Sequence, residues 1–554
     1  MKKVLVSWLL VLMLAFTCIP ALAEGEPISP KGEFPIVKEP ITLRVWSNLQ
    51  PTMADGIEKN DATLFLEEKT GIHIQWEKVG INEAKEKLRV VMAANTDLPD
   101  VFMFSNSGAI VTTEQVFSYG MQGLLLPLND LIAKYGDSIF TAFELNKEKE
   151  RAITAPDGKI YGLPSTSDGA YHMTANQKFY MNKAWLDKLG LSLPTTLDEF
   201  YNVLAAFRDK DPNGNGAKDE VPLSGSIGSM FTRSTLDCFL MNAFQYSTSY
   251  EKYWLYRDDA DQVQFAATTD GYREGLRYFR KLYEEGLMDK EIFINTNDSL
   301  KMLSGAGDGN KLGSFTAMFP IAGVSTDNPE FKDYVALPPL QGPAGRIAPD
   351  TTSGGAGFMY LITSSCKYPE AAFRMGDYLM TIATGKKDTF EDMTVRYGKE
   401  GTGWERAKEG DIGIDGSPAI FRKLPVEVNG AQTAYWYDLG PMTYPSSERN
   451  GAAIADPSAY NIEKALYDDT KNCYEPYRVN RTVPYMNFAP EDTEVLTDIR
   501  INIQNYGQEA LAAFVTGEMD IEKDWEAYVQ NMRDLGVDTL VELTNKTYQA
   551  WKSN

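Results

Sequence analysis

Between Asp211 and Glu220 the chain reads Asp-Pro-Asn-Gly-Asn-Gly-Ala-Lys-Asp-Glu, the stretch best suited to chemistry. Oxygen-bearing side chains stand at every second position, Asp211, Asn213 and Asn215, and two carboxylates, Asp219 and Glu220, close the run. A hard cation such as Ca²⁺ takes six to eight oxygens, which a loop supplies when alternate residues point inward and glycine permits the sharp turn. Gly216 falls at the sixth position, and Ala217 offers its carbonyl at the seventh. A register starting at Asp209 also fits, with Gly214 sixth and Glu220 twelfth, but it uses fewer acceptors and the register from Asp211 is preferred. The bland alternative is a solvated acidic turn, since Asn, Gly and Asp are ordinary turn residues. The full spacing favours a bound cation with a structural role.

Little else in the chain suits catalysis. His73 and His172 are the only histidines, too few for a zinc site, and His73 alternates with Ile72 and Ile74 as on a sheet face. Ser364 to Lys367 fits an S-x-x-K pattern and Lys69-Thr70-Gly71 a K-T-G, but in the reverse of the functional order, so both are read as chance. The serious enzymatic rival is a secreted glycosidase. Among 77 acidic residues a carboxylate pair flanking a sugar is conceivable, because its separation is a matter of fold.

The first 23 residues read as a secretory signal: Lys2 and Lys3, an apolar core from Val4 to Phe16, and Ala21-Leu22-Ala23 before a cut at Glu24. Cys18 raises a lipid anchor, which Thr17 before it disfavours. Release after Ala23 would take the formal charge from -23 to -25. So acidic a surface repels nucleic acid and anionic lipid, and no later run is long enough to span a membrane. Cys238, Cys366 and Cys473 are scattered and odd in number, which makes neither a disulfide framework nor a zinc site. Aromatics at 12% suit a surface that stacks on sugars.

These residues must be positioned by an α/β framework. After a Pro- and Gly-rich tether at 24–40, residues 41–46 alternate apolar and polar as a half-buried strand. A helix over 62–69 stops at Gly71, a second strand covers 72–76, a helix 83–94, and a third strand 100–105. That order implies a parallel sheet with right-handed crossovers, whose ligands bind beyond the carboxyl ends of the strands. A helix near 182–189 ends at Gly190, and Thr196 with Glu199 opens the next as a capping box. The turn-rich stretch 156–164 is the candidate first crossing between two lobes, each assembled from separated pieces of chain.

The runs Phe179-Tyr180-Met181-Asn182-Lys183-Ala184-Trp185-Leu186-Asp187-Lys188-Leu189-Gly190-Leu191 and Leu193-Pro194-Thr195-Thr196-Leu197-Asp198-Glu199-Phe200 carry a family likeness. With 285–289, 338–343, 369–373 and the closing 516–520 with Trp525 and Tyr528, they resemble family 1 of the extracellular solute-binding proteins, which serve carbohydrate ABC importers. Size and acidic loop resemble the branch of alginate-oligosaccharide binders, in which that loop holds calcium. The resemblance implies a two-lobed, periplasmic-binding-protein-like (type II) α/β fold with a hinge and a central cleft. It places 41–160 plus 336–400 in an N-terminal lobe and 165–335 plus 401–554 in a C-terminal lobe. It implies an extracytoplasmic monomer, not an enzyme, that captures an oligosaccharide by lobe closure and delivers it to permease subunits. The implied ligands of a structural Ca²⁺ are Asp211, Asn213, Asn215, Ala217 (carbonyl), Asp219 and Glu220.

Candidate sugar-binding residues follow from position. Trp46 and Asn48 end the first strand, and Ser105 and Asn106 end the third. Tyr161 lies in the presumed hinge, while Trp404 and Trp436 stand in polar or glycine-rich loops where a large aromatic is not expected to be core.

Overall fold

The computed structural model describes residues 28–105, 110–168, 171–226, 235–248, 252–305, 309–351, 356–381, 393–426, 430–436, 438–456 and 460–553. The expected leader, 1–23, and Asn106 lie outside that set. The strands that position the site are, in chain order, β1 (Ile41–Leu49), β2 (Ile72–Gly80), β3 (Val101–Met103), β4 (Leu163–Pro164), β5 (Thr166–Ser167) and β6 (Lys178–Asn182). They continue as β7 (Ser314–Ala317), β8 (Tyr334–Ala336), β9 (Ala348–Pro349), β10 (Phe358–Ile362), β11 (Thr443–Tyr444) and β12 (Arg478–Val479).

A five-stranded sheet runs in the order β2-β1-β3-β10-β4. β1 pairs in parallel with β2 and β3, with Val45 opposite both Trp76 and Val101, as the alternation of strand and helix requires. β10 joins antiparallel to β3 and β4, a reversal the local pattern does not announce. A second sheet, β8-β6-β7, is antiparallel throughout. The helix stops act where expected: Gly71 at φ +76° and Gly190 at φ +68° end Asp61–Thr70 and Lys183–Leu189 in the left-handed conformation that glycine adopts without steric cost. Thr196 Oγ1 accepts the Glu199 N–H at 3.1 Å and opens Leu197–Asp209, but the Glu199 carboxylate turns to Thr195, whose N–H donates to it at 2.7 Å.

Each sheet has its own core. Leu43, Val45, Val101, Phe102, Tyr360 and Ile362 pack in the first, and Phe179, Met181, Phe200, Phe279, Phe315 and Phe514 in the second. Core membership moves two of the expected boundaries. β8, Leu337, Leu340 and Ala348 belong to the second core, so the chain returns to the first sheet only at Ala356 and β10, not at 336. Trp436, Leu439 and Met442 pack in the first core, although they follow position 400. The final helix, Val537–Ser553, packs Val537, Leu540 and Tyr548 into the second core and was not anticipated.

Three strands of chain pass between the bodies, and they are tied to one another. The first pass follows β4 rather than lying at 156–164, since Ile160, Tyr161 and Leu163 are still buried in the first core. Thr351, on the second pass, accepts the Asn176 N–H at 2.9 Å and donates from its hydroxyl to the Met173 carbonyl at 2.8 Å. Ser165 N–H donates to the Gly357 carbonyl at 2.8 Å. The third pass joins through β11, which pairs in parallel with β5. There Arg396 Nη1 donates to both Glu448 carboxylate oxygens at 2.5 Å, and Arg396 also bonds the Thr443 carbonyl. This pair is buried, and removing one partner of such a pair costs about 3–5 kcal/mol.

At the root of the second sheet Lys178 is fully buried, its Nζ donating to the Ala175 carbonyl and lying 5.5 Å from the Tyr474 ring centroid. Burial pushes its ammonium down to about 7, with Asp469 opposing that fall. The unfolded chain keeps this proton up to the ordinary lysine value, so between about pH 7 and 10 it binds more protons than the native state and stability rises with pH. Lys178→Met is expected to flatten that rise in melting temperature, measured by thermal denaturation across the interval; an unchanged slope would place the titration elsewhere.

Candidate functional site

The carboxyl ends of β1 and β3 present a polar shelf. Asn48 is buried, its Oδ1 accepting the Ser105 N–H at 3.0 Å, while its Nδ2 has no partner; nor does the neighbouring buried Ser47 hydroxyl. An unsatisfied buried donor costs about 1–3 kcal/mol, which a bound hydroxyl or water would recover. Ser105 also makes a β-bridge with Leu439, which closes the shelf from the third pass. Beyond the ends of β1 and β2 lies a depression of about 730 Å³ lined by Gln50, Pro51, Gly80, Asn82, Glu83 and Ile110. Further unpartnered buried groups, Thr166, Asn176, Gln177 and Thr443, lie along the passes between the bodies. Sequence reasoning missed these four; only their placement at the crossings singles them out.

The aromatic candidates pack inward. Trp46 is 3% exposed, with its indole edge-on to Phe102 and Phe104. Tyr161 lies against Gly120 and its hydroxyl donates to Asp157 Oδ2 at 2.6 Å. Trp404 donates from Nε1 to the Gly398 carbonyl at 2.9 Å inside a small core with Met393 and Phe421. Trp436 meets Trp76 edge-on and donates to Thr63 Oγ1 at 3.0 Å. All four rings are covered by protein, and the polar atoms of Tyr161, Trp404 and Trp436 are satisfied internally. In this structure each of the four is an interior packing residue.

The loop 211–220 holds its turn through left-handed backbone at Asp211 (φ +45°), Gly214 (φ +79°) and Gly216 (φ +78°). Asp211 accepts the N–H groups of Gly214 at 2.9 Å and Gly216 at 3.2 Å, and Asn215 Oδ1 accepts that of Ala217 at 2.7 Å. The amides of Asn213 and Asn215 donate to Asp219 at 3.2 and 3.1 Å, and Lys311 Nζ stands 3.1 Å from it. The Asn215 amide foremost, then Lys311 and Asn213, hold the Asp219 carboxyl below the usual carboxylate range. Glu220 differs: its Oε1 is buried without a partner, and burial, reinforced by the charges of Asp211 and Asp219, raises its carboxyl. Among the described residues no group of three or more His, Cys, Asp or Glu side chains converges at metal-holding distance. The donor set nevertheless fits a hard cation. Two amides need only rotate to present oxygen, and the orphaned Glu220 oxygen lacks the counter-charge that such an ion supplies.

The sequence matches the bacterial extracellular solute-binding proteins over residues 46–385, more than half its length. The chain belongs to that family. It is 27% identical over 538 residues to the fructooligosaccharide ABC transporter substrate-binding protein FusA of Streptococcus pneumoniae serotype 4 (strain ATCC BAA-334 / TIGR4), covering 94% of this chain and 92% of that one. The solved structure of S. pneumoniae FusA in complex with kestose superposes with a TM-score of 0.71 at 25% identity, covering 93% of this chain and all of the other. A FusA EF-hand mutant in complex with fructo-nystose gives 0.69 at the same identity and coverage. The fold of this solute-binding protein is therefore the two-lobed type II arrangement, with the core-by-core division described above.

The inward packing of Tyr161 has a direct test. A Cβ placed on Gly120 would stand 2.3 Å from the Tyr161 ring, so Gly120→Ala should destabilise by about 1–3 kcal/mol in urea unfolding. Combining it with Tyr161→Leu should relieve much of that loss, and a neutral single substitution would mean the ring is free to move outward.

Proposed function

We propose that this solute-binding protein is the extracytoplasmic component of a carbohydrate ABC importer, closing its two bodies on an oligosaccharide and presenting it to membrane permease subunits. The observation that carries the reading is architectural. Two separately cored bodies are joined by three passes, and unpartnered buried polar groups gather at those passes and at the carboxyl edge of the first sheet. Sugars offer many hydroxyls, which such amide and hydroxyl groups satisfy, and hinge closure brings both sets to one ligand. The end-to-end likeness to FusA, a fructooligosaccharide binder by name, supports the same class. Of the sequence candidates, Asn48 and Ser105 are retained as ligand-facing, and Asn106, outside the described residues, stays a candidate beside them. We take the first body as 28–164 plus 356–444 and the second as 174–350 plus 460–553. The acidic charge disfavours nucleic acid, and the molecule acts as a monomer released after Ala23.

Asp211, Asn213, Asn215, Ala217, Asp219 and Glu220 are proposed to hold a structural Ca²⁺ on the second body. An EF-hand in the FusA relative supports this reading. The ion's role is to neutralise Asp211, Asp219 and Glu220 and fix the loop between the helix Leu197–Asp209 and the strand region that follows. It takes no part in binding chemistry.

Two measurements check these readings. A neutral oligosaccharide at 100 times its Kd should add about 2.7 kcal/mol of stability, read as a rise in melting temperature, and incubation should yield no new reducing ends. Steady release of product would instead make the protein a glycosidase. A calcium chelator should lower the melting temperature, and Asp211→Ala should reproduce that loss and abolish the chelator response. A chelator-insensitive wild type would remove the ion and leave the sugar-binding role standing.

A further inference from the structure

Two lysines from outside the acidic loop reach into it. Lys311 Nζ stands 3.1 Å from Asp219 Oδ2, and Lys188 Nζ donates to the Pro212 carbonyl at 2.8 Å. Backbone pairing sets position 311 beside the end of the loop. The Val221 N–H donates to the Lys311 carbonyl at 2.7 Å, Leu312 bridges Val221 in parallel, and the Lys311 N–H donates to the Leu303 carbonyl at 2.9 Å. Nitrogen donors therefore surround the Asp219 carboxylate. The Asn213 and Asn215 amides lie 3.2 and 3.1 Å from Oδ1, while Lys311, and Asn215 again at 3.3 Å, face Oδ2.

A Ca²⁺ ion draws on the same atoms. In the ligand set proposed above Asp219 supplies carboxylate oxygen, and Asn213 and Asn215 supply the amide oxygens of side chains whose nitrogens face Asp219 here. One carboxylate does not serve an ammonium at hydrogen-bonding distance and a divalent ion at about 2.4 Å together, because like charges so close repel. The ammonium is also a partial substitute only. It compensates Asp219, whereas Glu220 Oε1 stays buried without a partner; a divalent ion carries charge enough for both. Lys311 has a second acidic wall to turn to. With Asp289, Glu291, Asn295 and Met302 it lines a depression of about 360 Å³, where the Glu291 carboxylate makes no hydrogen bond or ion pair with any described residue.

We propose that Lys311 is a built-in competitor at the calcium loop: its ammonium and the ion exchange on Asp219, so that one side chain both holds the loop without calcium and lowers its calcium affinity. Resting on the calcium reading above, this names how that site is tuned. The two effects have opposite signs. Without the ion, Lys311 offsets the repulsion among Asp211, Asp219 and Glu220; with the ion, it adds a like charge beside it. Lys188, bound to a backbone carbonyl outside the ligand set, takes no part in the exchange.

Calorimetric titration of the chelator-stripped protein with CaCl₂ tests this, alongside melting temperatures in chelator and in saturating calcium. Lys311→Met should lower the calcium Kd about 3- to 30-fold, the range expected for relieving one like charge beside a divalent ion at a partly exposed site. The same variant should melt below the wild type in chelator and level with it or above it in calcium, so its calcium-induced rise widens. Lys311→Gln, which keeps a hydrogen-bond donor without the charge, should tighten calcium binding equally and lose less stability in chelator. Lys134→Met removes the same charge from a pair with Glu370 on the first body and should leave calcium affinity unchanged. A wild type that binds calcium while Lys311→Met binds it no tighter, or while Lys134→Met tightens it as strongly, would overturn the exchange and leave the ion in place. No calcium binding by wild type or Lys311→Met would overturn the calcium reading and the exchange with it.

Discussion

The structure depends on a division of labour between two cores that do not share their apolar contents. Because each body buries its own hydrophobic cluster, the contact between them is left to polar groups and to three tied passes of chain. Hydrophobic burial would fuse the bodies; hydrogen bonds such as those of Thr351 to Asn176 and Met173 hold the waist without doing so. A joint of this kind turns about a few residues at modest cost, which is the condition for a clamp.

That constraint explains where polarity is spent. The buried ion pair of Arg396 and Glu448, with Arg396 also bonded to the Thr443 carbonyl, anchors the third pass where a surface pair, worth at most about 1 kcal/mol, would not. Groups left unpaired, such as Asn48 Nδ2, Gln177 Nε2 and Arg500 Nε, destabilise the empty protein and favour a ligand that satisfies them. The acidic loop lies apart from these groups. It follows the helix Leu197–Asp209 on the second body, and its orphaned Glu220 oxygen marks an electrostatic deficit.

Much of the framework was legible in the sequence because it is set by local rules. Gly71, Gly190 and Thr196 fix helix ends through backbone conformation and capping, and the spacing of 41–105 sets the parallel β2-β1-β3 unit. The sugar site was not legible in the same way. Trp404 and Trp436 stand in stretches of polar or glycine-rich composition, yet Trp404 opens a paired strand and both rings are buried, a tertiary outcome that local composition does not encode. The returning segment through β8 stays with the second core because Tyr334 and Ala336 pair with Asn182 and Tyr180, a contact more than 150 positions away in sequence that no local pattern reveals.

The central claim is that two hinged bodies close on a saccharide that leaves unchanged. Small-angle X-ray scattering with and without a saturating neutral oligosaccharide tests it most directly. The account predicts a radius of gyration that contracts on binding and recovers when intact sugar is dialysed away. A radius that stays fixed while the sugar is bound would contradict it.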